Sequence, residues 1–359
     1  MNIVFVHSIL PEDDYRVHVR CQNFASALQA SGRHAVNLLI LEDFISNNPP
    51  AVKTCQPADI IILHRYLFES TLAAIARWRA RGKKVLVDID LSVEHLEPER
   101  PGFSFWQKGV LPPSLKNGSR PIYPSPAEQL KWLLKMVDGI LVPTSQLAYD
   151  YFPYGRVQLL ADYLNINEFL VVPSERRDNV LWLGLNLENK VFGSLKQSGA
   201  LEGIERALQQ NPALRLLVIA PHPSFEPWLS KFSPARLEVY RQISPHELPA
   251  ILSKADVGLL PAYGEFDLRQ SPLPAVEYMA MKIPWIASTQ PVYQLLAEYG
   301  CLVNNSAAEW AAAILETAEN IETARQRSAG RAYLYALSQD AVENVEKIER
   351  AIGGSEEAA

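Results

Sequence analysis

Cysteine is scarce in this chain: Cys21, Cys55 and Cys301 are the three thiols in 359 residues. An odd number at long spacings supports neither a disulfide framework nor a CxxC metal site, so they read as reduced, mostly buried thiols. Positive charge is also short. With 34 Lys+Arg against 40 Asp+Glu, the formal net charge is −6, which disfavours a broad phosphate-tracking face for nucleic acid and leaves only local basic patches open. No apolar run reaches the roughly 18 residues that span a bilayer. The opening MNIVFVHSIL has neither a basic n-region nor a small-residue cleavage site. The chain therefore reads as cytoplasmic, with peripheral contact to a membrane left open. GxGxxG is missing after the first apolar run, where VHSILPEDD stands instead, and this sets aside an ordinary dinucleotide-binding dehydrogenase. His7, His64 and His222 fall near predicted strand ends without metal-ligand spacing, so no metal is expected.

What is present is ordinary globular material: 48% hydrophobic and 21% charged residues. The length is roughly twice a common domain of about 100–150 residues, which predicts two domains, each with its own core. Ile3 to Val6 form an apolar strand, a Pro- and acid-rich loop follows, and helical periodicity runs from about Tyr15 to Ala30. SGRHAVNLLIL, ADIIILHR, KKVLVDID and DGILVPTS repeat the alternation. Continuous apolar strands between helices predict a doubly wound parallel sheet, with ligands outside the carboxyl ends of its strands. Asp90, Ser145 and the loop after Val6 should face that crevice. Between these elements, Glu97 to Pro126 is rich in Pro and Gly and carries Phe103, Phe105 and Trp106, so it reads as an irregular insertion of the kind that covers sites.

A second alternation starts after the polar stretch SERRDN, with NVLWLGL, LRLLVIAP, ADVGLLPA and KIPWIAS as strands. The predicted organisation is residues 1–172 as a first Rossmann-like domain, 173–335 as a second, and 336–359 as a final helix crossing back to the first, ending in the frayed acidic tail GGSEEAA.

ADVGLLPAYGEFDLRQSPLPAVEYMAMKIPWIAS resembles the donor half of retaining GT-B glycosyltransferases of family 4, the glycosyl transferases group 1. DGILVPTSQLAYDYF followed by VQLLADYLNINEF is similar to the segment in which that family leaves its acceptor domain. YRVHVR, VLVDID and the late GRAYLYALSQDAVENV add weaker matches in the same order. The resemblance implies two Rossmann-like domains facing a cleft. It also implies transfer of a hexosyl-type sugar, with retention, from a nucleoside diphosphate sugar to a glycan, lipid-linked or small-molecule acceptor. Neither cofactor nor metal is expected, and glycan biosynthesis is the implied setting.

On the donor side, a diphosphate suits a helix N-terminus, and Ser271, Pro272 and Leu273 read as its cap and first residues. The resemblance implies that Glu277 hydrogen-bonds the donor ribose; its alternative is a helix carboxylate with structural partners. Arg269 and Pro274 stand where many members have Glu and Lys. Glu265 and Asp267 are nearby substitutes for the sugar hydroxyls, while Arg269 and Lys190 are the candidate cations for the leaving diphosphate. On the acceptor side, Tyr15 and Arg16 match a YR of some members, and Arg16 either meets an anion or pairs with Asp13 or Asp14. Asp90 and His95 are candidates to orient an acceptor hydroxyl and share its proton, against the alternative of a strand-end turn cap, which suits Asp88 best. Two competing readings remain: a catalytically inactive homologue serving as a binding or interaction protein, favoured by Arg269 and Pro274, and a sugar-nucleotide 2-epimerase.

Overall fold

The structure, a computed structural model, describes residues 1–8, 14–100, 102–111, 121–171 and 180–353. Its contacts divide into two compact units: Met1–Leu164 with Arg269–Ser271 and Asp340–Ala359, and Asn165–Leu268 with Pro272–Gln339. The boundary expected at residue 172 lies outside the described residues.

The first unit is built on a parallel sheet of β1 (Asn2–His7), β2 (Ala35–Ile40), β3 (Ile60–His64), β4 (Lys84–Asp88), β5 (Gly139–Val142) and β6 (Val157–Leu159), in the order β2-β1-β3-β4-β5-β6. β3 and β5 are buried along their whole length, which accounts for their unbroken apolar sequences. Strand order reverses between β1 and β3. A crevice opens at such a reversal, outside the carboxyl ends of the strands.

Helix forms from Tyr15 to Ala30 as expected, but His18–Asn23 winds as a π-helix, and this stretch carries the fully buried Arg20. Near the C-terminus, Val345–Gly353 lays Ile348, Ala351 and Ile352 into the core that holds Phe24 and Leu28. Lys84 Nζ donates to the carbonyls of Ile352 and Gly353, each at 2.8 Å.

The insertion between residues 97 and 126 departs from expectation. Phe103–Lys108 is a short helix bracketed by Gly102 and Gly109, both at positive φ. Phe105 is buried edge-on against Tyr66, Phe68 and Trp106, with ring centroids 4.9, 5.5 and 5.0 Å away. Glycine here marks the ends of a helix. Phe105 and Trp106 are buried rather than part of a cover, while Phe103 is half-buried.

The second unit's sheet comprises β7 (Leu181–Asn186), β8 (Leu214–Ile219), β9 (Leu237–Tyr240), β10 (Val257–Leu260), β11 (Trp285–Ser288) and β12 (Cys301–Val303). It is also parallel, in the order β12-β11-β10-β7-β8-β9, so its reversal falls between β7 and β10. The helix Leu273–Ala280 packs over this reversal because both strands are bare beneath it. A Cβ on Gly258 would stand 2.4 Å from the Tyr278 ring, and one on Gly184 would stand 3.0 Å from its hydroxyl. Tyr278 then donates to the Gly184 carbonyl at 3.0 Å. Among the described residues, no helix is long and apolar enough to cross a membrane.

Candidate functional site

In the second unit, the helix Leu273–Ala280 carries Glu277, which is 2% exposed. The neighbouring Tyr278 phenol is pushed up by burial and by the Glu277 charge. The helix begins one residue later than the sequence suggested. The Pro272 carbonyl accepts from Ala275 and Val276 at 2.9 and 3.3 Å, which makes Pro272 the N-cap and leaves Ser271, buried, just ahead of it. Prolines at 272 and 274 carry no N–H and the Ala275 amide donates to the Pro272 carbonyl, which leaves Leu273 as the helix's first amide.

Lys190 lies just beyond β7, and its Nζ approaches Asp267 Oδ2 at 3.4 Å. Asp267, 1% exposed, also accepts from the Tyr263 amide at 3.0 Å. On the same short helix, Glu265 is exposed. Of the two carboxylates expected near the sugar, Asp267 thus turns inward with Lys190 and Glu265 turns to solvent. Both loops issue from the strands that flank the order reversal.

In the first unit, a buried network of arginines and aspartates occupies the carboxyl ends of β1, β3, β4 and β6. Arg20 forks onto Asp88, with Nε and Nη2 at 3.0 and 2.5 Å, and its Nη1 reaches Asp162 at 2.9 Å and the Leu160 carbonyl at 2.6 Å. Burial alone would lower the Arg20 pKa, but Asp88 and Asp162 more than offset it, and the guanidinium stays charged. Arg16 donates to Asp162 at 3.1 Å and to Gln270 at 3.3 Å. Asp14 caps the start of the helix through the amides of Arg16 and Val17, at 2.8 and 3.0 Å. Asp13, the other acid considered for Arg16, lies outside the described residues. Tyr15, next to Arg16 in the chain, is half-buried.

Asp90 holds Arg65 bidentately, at 2.5 Å from Nε and 2.7 Å from Nη2, and His64 Nε2 lies 3.8 Å away. Burial alone would raise the Asp90 pKa, yet Arg65 and His64 hold its carboxyl well below the ordinary carboxylate range. So weak a base is a poor proton acceptor at neutral pH, and Asp90 serves as the anchor of Arg65. Stability follows from the same shift. Because the folded pKa is depressed, the contribution of Asp90 is fully present above the unfolded value of about 3.9 and is lost as pH falls through the folded value. The stability gap between the parent and Asp90→Asn is therefore expected to narrow from about pH 5 towards about pH 2, as read from urea midpoints. A gap constant across that range would remove this role.

His95 and Arg269 join one hydrogen-bonded chain. His95 Nδ1 is 2.7 Å from Ser92 Oγ, Ser92 Oγ is 3.5 Å from Asp150, and Asp150 takes Arg269 Nε at 2.5 Å and Nη2 at 3.2 Å. Thr144 Oγ1 donates to the Arg269 carbonyl at 3.0 Å. Sequence reasoning missed Arg20, Arg65, Asp150 and Asp162. Arg65 had a visible signal, a charge directly after the apolar run ADIIILH. Asp150 had none, since YDYF reads as an amphipathic helix end.

Residues 193–320 match the family model described as glycosyl transferases group 1. Among curated proteins none matches the chain by sequence. Solved structures do match. Sucrose-phosphate synthase from Thermosynechococcus elongatus is 16% identical with a TM-score of 0.65, over 99% of this chain and 100% of that chain. Anabaena Alr3699/HepE in complex with UDP and glucose is 14% identical, also with a TM-score of 0.65, over 99% and 100%. The N-terminal domain of Candida albicans trehalose-6-phosphate phosphatase is 13% identical with a TM-score of 0.62, over 98% and 96%. At these identities the likeness establishes the fold, the two-unit α/β architecture of GT-B proteins. Activity has to be argued from the site.

Proposed function

We propose that this chain transfers a sugar from a nucleoside diphosphate sugar to an acceptor hydroxyl, and that its second unit holds the donor. The observation that carries the reading is Glu277: a buried carboxylate on the helix that packs over the order reversal of the second sheet, within the segment matched to the group 1 family. A carboxylate there suits two ribose hydroxyls, each giving a charge-assisted bond. The Anabaena protein, solved with UDP and glucose, supports the ligand class. Within the second unit, Lys190 and the Leu273 amide meet the diphosphate, and Arg269, which Asp150 holds, is proposed as a cation for the leaving charge. In the transfer, the acceptor oxygen bonds the anomeric carbon as its bond to the diphosphate oxygen breaks, and the acceptor proton is released. Retention, hexosyl transfer without metal or cofactor, and a cytoplasmic place in glycan biosynthesis belong to the same proposal.

A specific observation also favours the inactive homologue: Arg269 is engaged with Asp150, and Pro274 offers no cation. One set of measurements separates the two readings. A nucleoside diphosphate that binds the native state raises its melting temperature, and transfer or donor hydrolysis is then measured on the parent and on Arg269→Ala. Loss of leaving-group stabilisation is expected to lower turnover about tenfold or more, each ~1.4 kcal/mol being a factor of ten. Nucleotide binding with no turnover in the parent would establish the inactive homologue instead.

A further inference from the structure

We infer that Arg65, locked by Asp90 at the order reversal of the first sheet, binds the acceptor, and that the acceptor is an uncharged sugar or polyol. The inference rests on the transferase reading and deepens it.

Position comes first. Arg65 directly follows β3, and the sheet's order reverses between β1 and β3, where a crevice is expected. Its amide donates to the Asp88 carbonyl at 2.8 Å, which ties it to the end of β4. Its backbone is left-handed, with φ of 61°, a conformation that glycine adopts freely and an arginine adopts at a cost. A side chain is thus kept where the backbone alone would favour none. Its guanidinium is also oriented before any ligand arrives. Asp90, whose side chain has 0% exposure, takes Nε and Nη2, so Nη1 lies outside the pair, and the Arg65 side chain keeps 19% exposure. A donor held by a rigid second residue, with its unused protons remaining, is a preorganised hydrogen-bond site.

Charge then selects the ligand. Among the described residues, Arg16, Arg20 and Arg65 pair with Asp88, Asp90 and Asp162, and the Asp14 charge also acts on Arg65, so carboxylates outnumber guanidiniums in this network. Among the described residues, a phosphate dianion brought here would find no surplus positive charge. Drawing Arg65 away from Asp90 would strand a buried carboxylate, which is strongly unfavourable. A hydroxyl oxygen accepts from Nη1 while adding no charge, and leaves the Arg65–Asp90 pair intact. The network therefore suits a ligand rich in hydroxyls and poor in charge.

Saturation-transfer NMR on the full chain, with methyl α-glucoside, maltose, myo-inositol and glucose 6-phosphate competing in the presence of UDP, tests this. The uncharged probes are expected to be preferred over the phosphate. Arg65→Lys, which keeps the charge but loses the fork, is expected to weaken their binding about tenfold, the effect of one charge-assisted bond. The UDP-induced rise in melting temperature should stay at the parent value. If Arg65→Lys does not fold, the pair Arg65→Gln with Asp90→Asn replaces it and is expected to show the same loss. Preference for glucose 6-phosphate, absence of binding by every uncharged probe, or parent-like binding by the variant would overturn the inference. Uncharged sugars binding at Arg65 in a protein whose melting temperature no nucleotide shifts would sink the transferase reading and leave the sugar site standing.

Discussion

Arg20→Met is expected to destabilise the first unit by about 3–5 kcal/mol, a large share of the roughly 5–15 kcal/mol that holds an ordinary domain folded. Arg20 has no exposed surface, and its guanidinium answers two buried carboxylates at once. Methionine fills much of the volume and removes the charge. Asp162 retains Arg16, but Asp88 loses both of its arginine bonds and stays 2% exposed. Stranding one partner is costlier than removing the pair, so Arg20→Met combined with Asp88→Leu should recover a large part of the loss. Urea unfolding of the two single variants and the double variant reads this directly. Additive losses in the double variant would show that Arg20 contributes through packing alone.

Glu277→Gln is expected to lower affinity for a nucleoside diphosphate about tenfold to a hundredfold, the worth of one charge-assisted bond at about 1.5–3 kcal/mol. Glutamine keeps the length and shape, so the helix Leu273–Ala280 and its contact with Gly184 should persist. Unfolding free energy should then change by less than about 1 kcal/mol, and calorimetric titration separates the two effects. Unchanged affinity would return Glu277 to a structural role within the helix.

The central strands were legible because burial on both faces writes an unbroken apolar run, as in ADIIILH and NVLWLGL. Strands β6, β9 and β12 escaped notice. Each spans three or four residues and is largely half-exposed, so no periodicity separates it from a loop. Tertiary context explains the other differences. The π-turn at His18–Asn23 and the short helix Phe103–Lys108 are held by contacts to distant residues, Asp88 and Tyr66 among them, which no local pattern encodes. Of the residues proposed for the donor, Glu277 and Lys190 were read from family resemblance together with position after predicted strands. The arginine–aspartate network was found only in three dimensions, since its members come from the helix after β1 and from the ends of β3, β4 and β6. Arg65 is the instructive case: the residue was visible, but its left-handed backbone and its partner Asp90 were not.

The core of the first unit is assembled from both ends of the chain, with Phe24 and Leu28 against Ile348 and Ile352. A ribosome makes Phe24 and Leu28 long before it reaches Ile348 and Ile352. The second unit, whose residues run from Asn165 to Gln339, has by then been made in full. The half that begins first is completed last, and until then the apolar face of Phe24–Ala30 has no helix Val345–Gly353 to cover it. In the cell, the nascent first unit is consequently the part that depends on shelter from premature association.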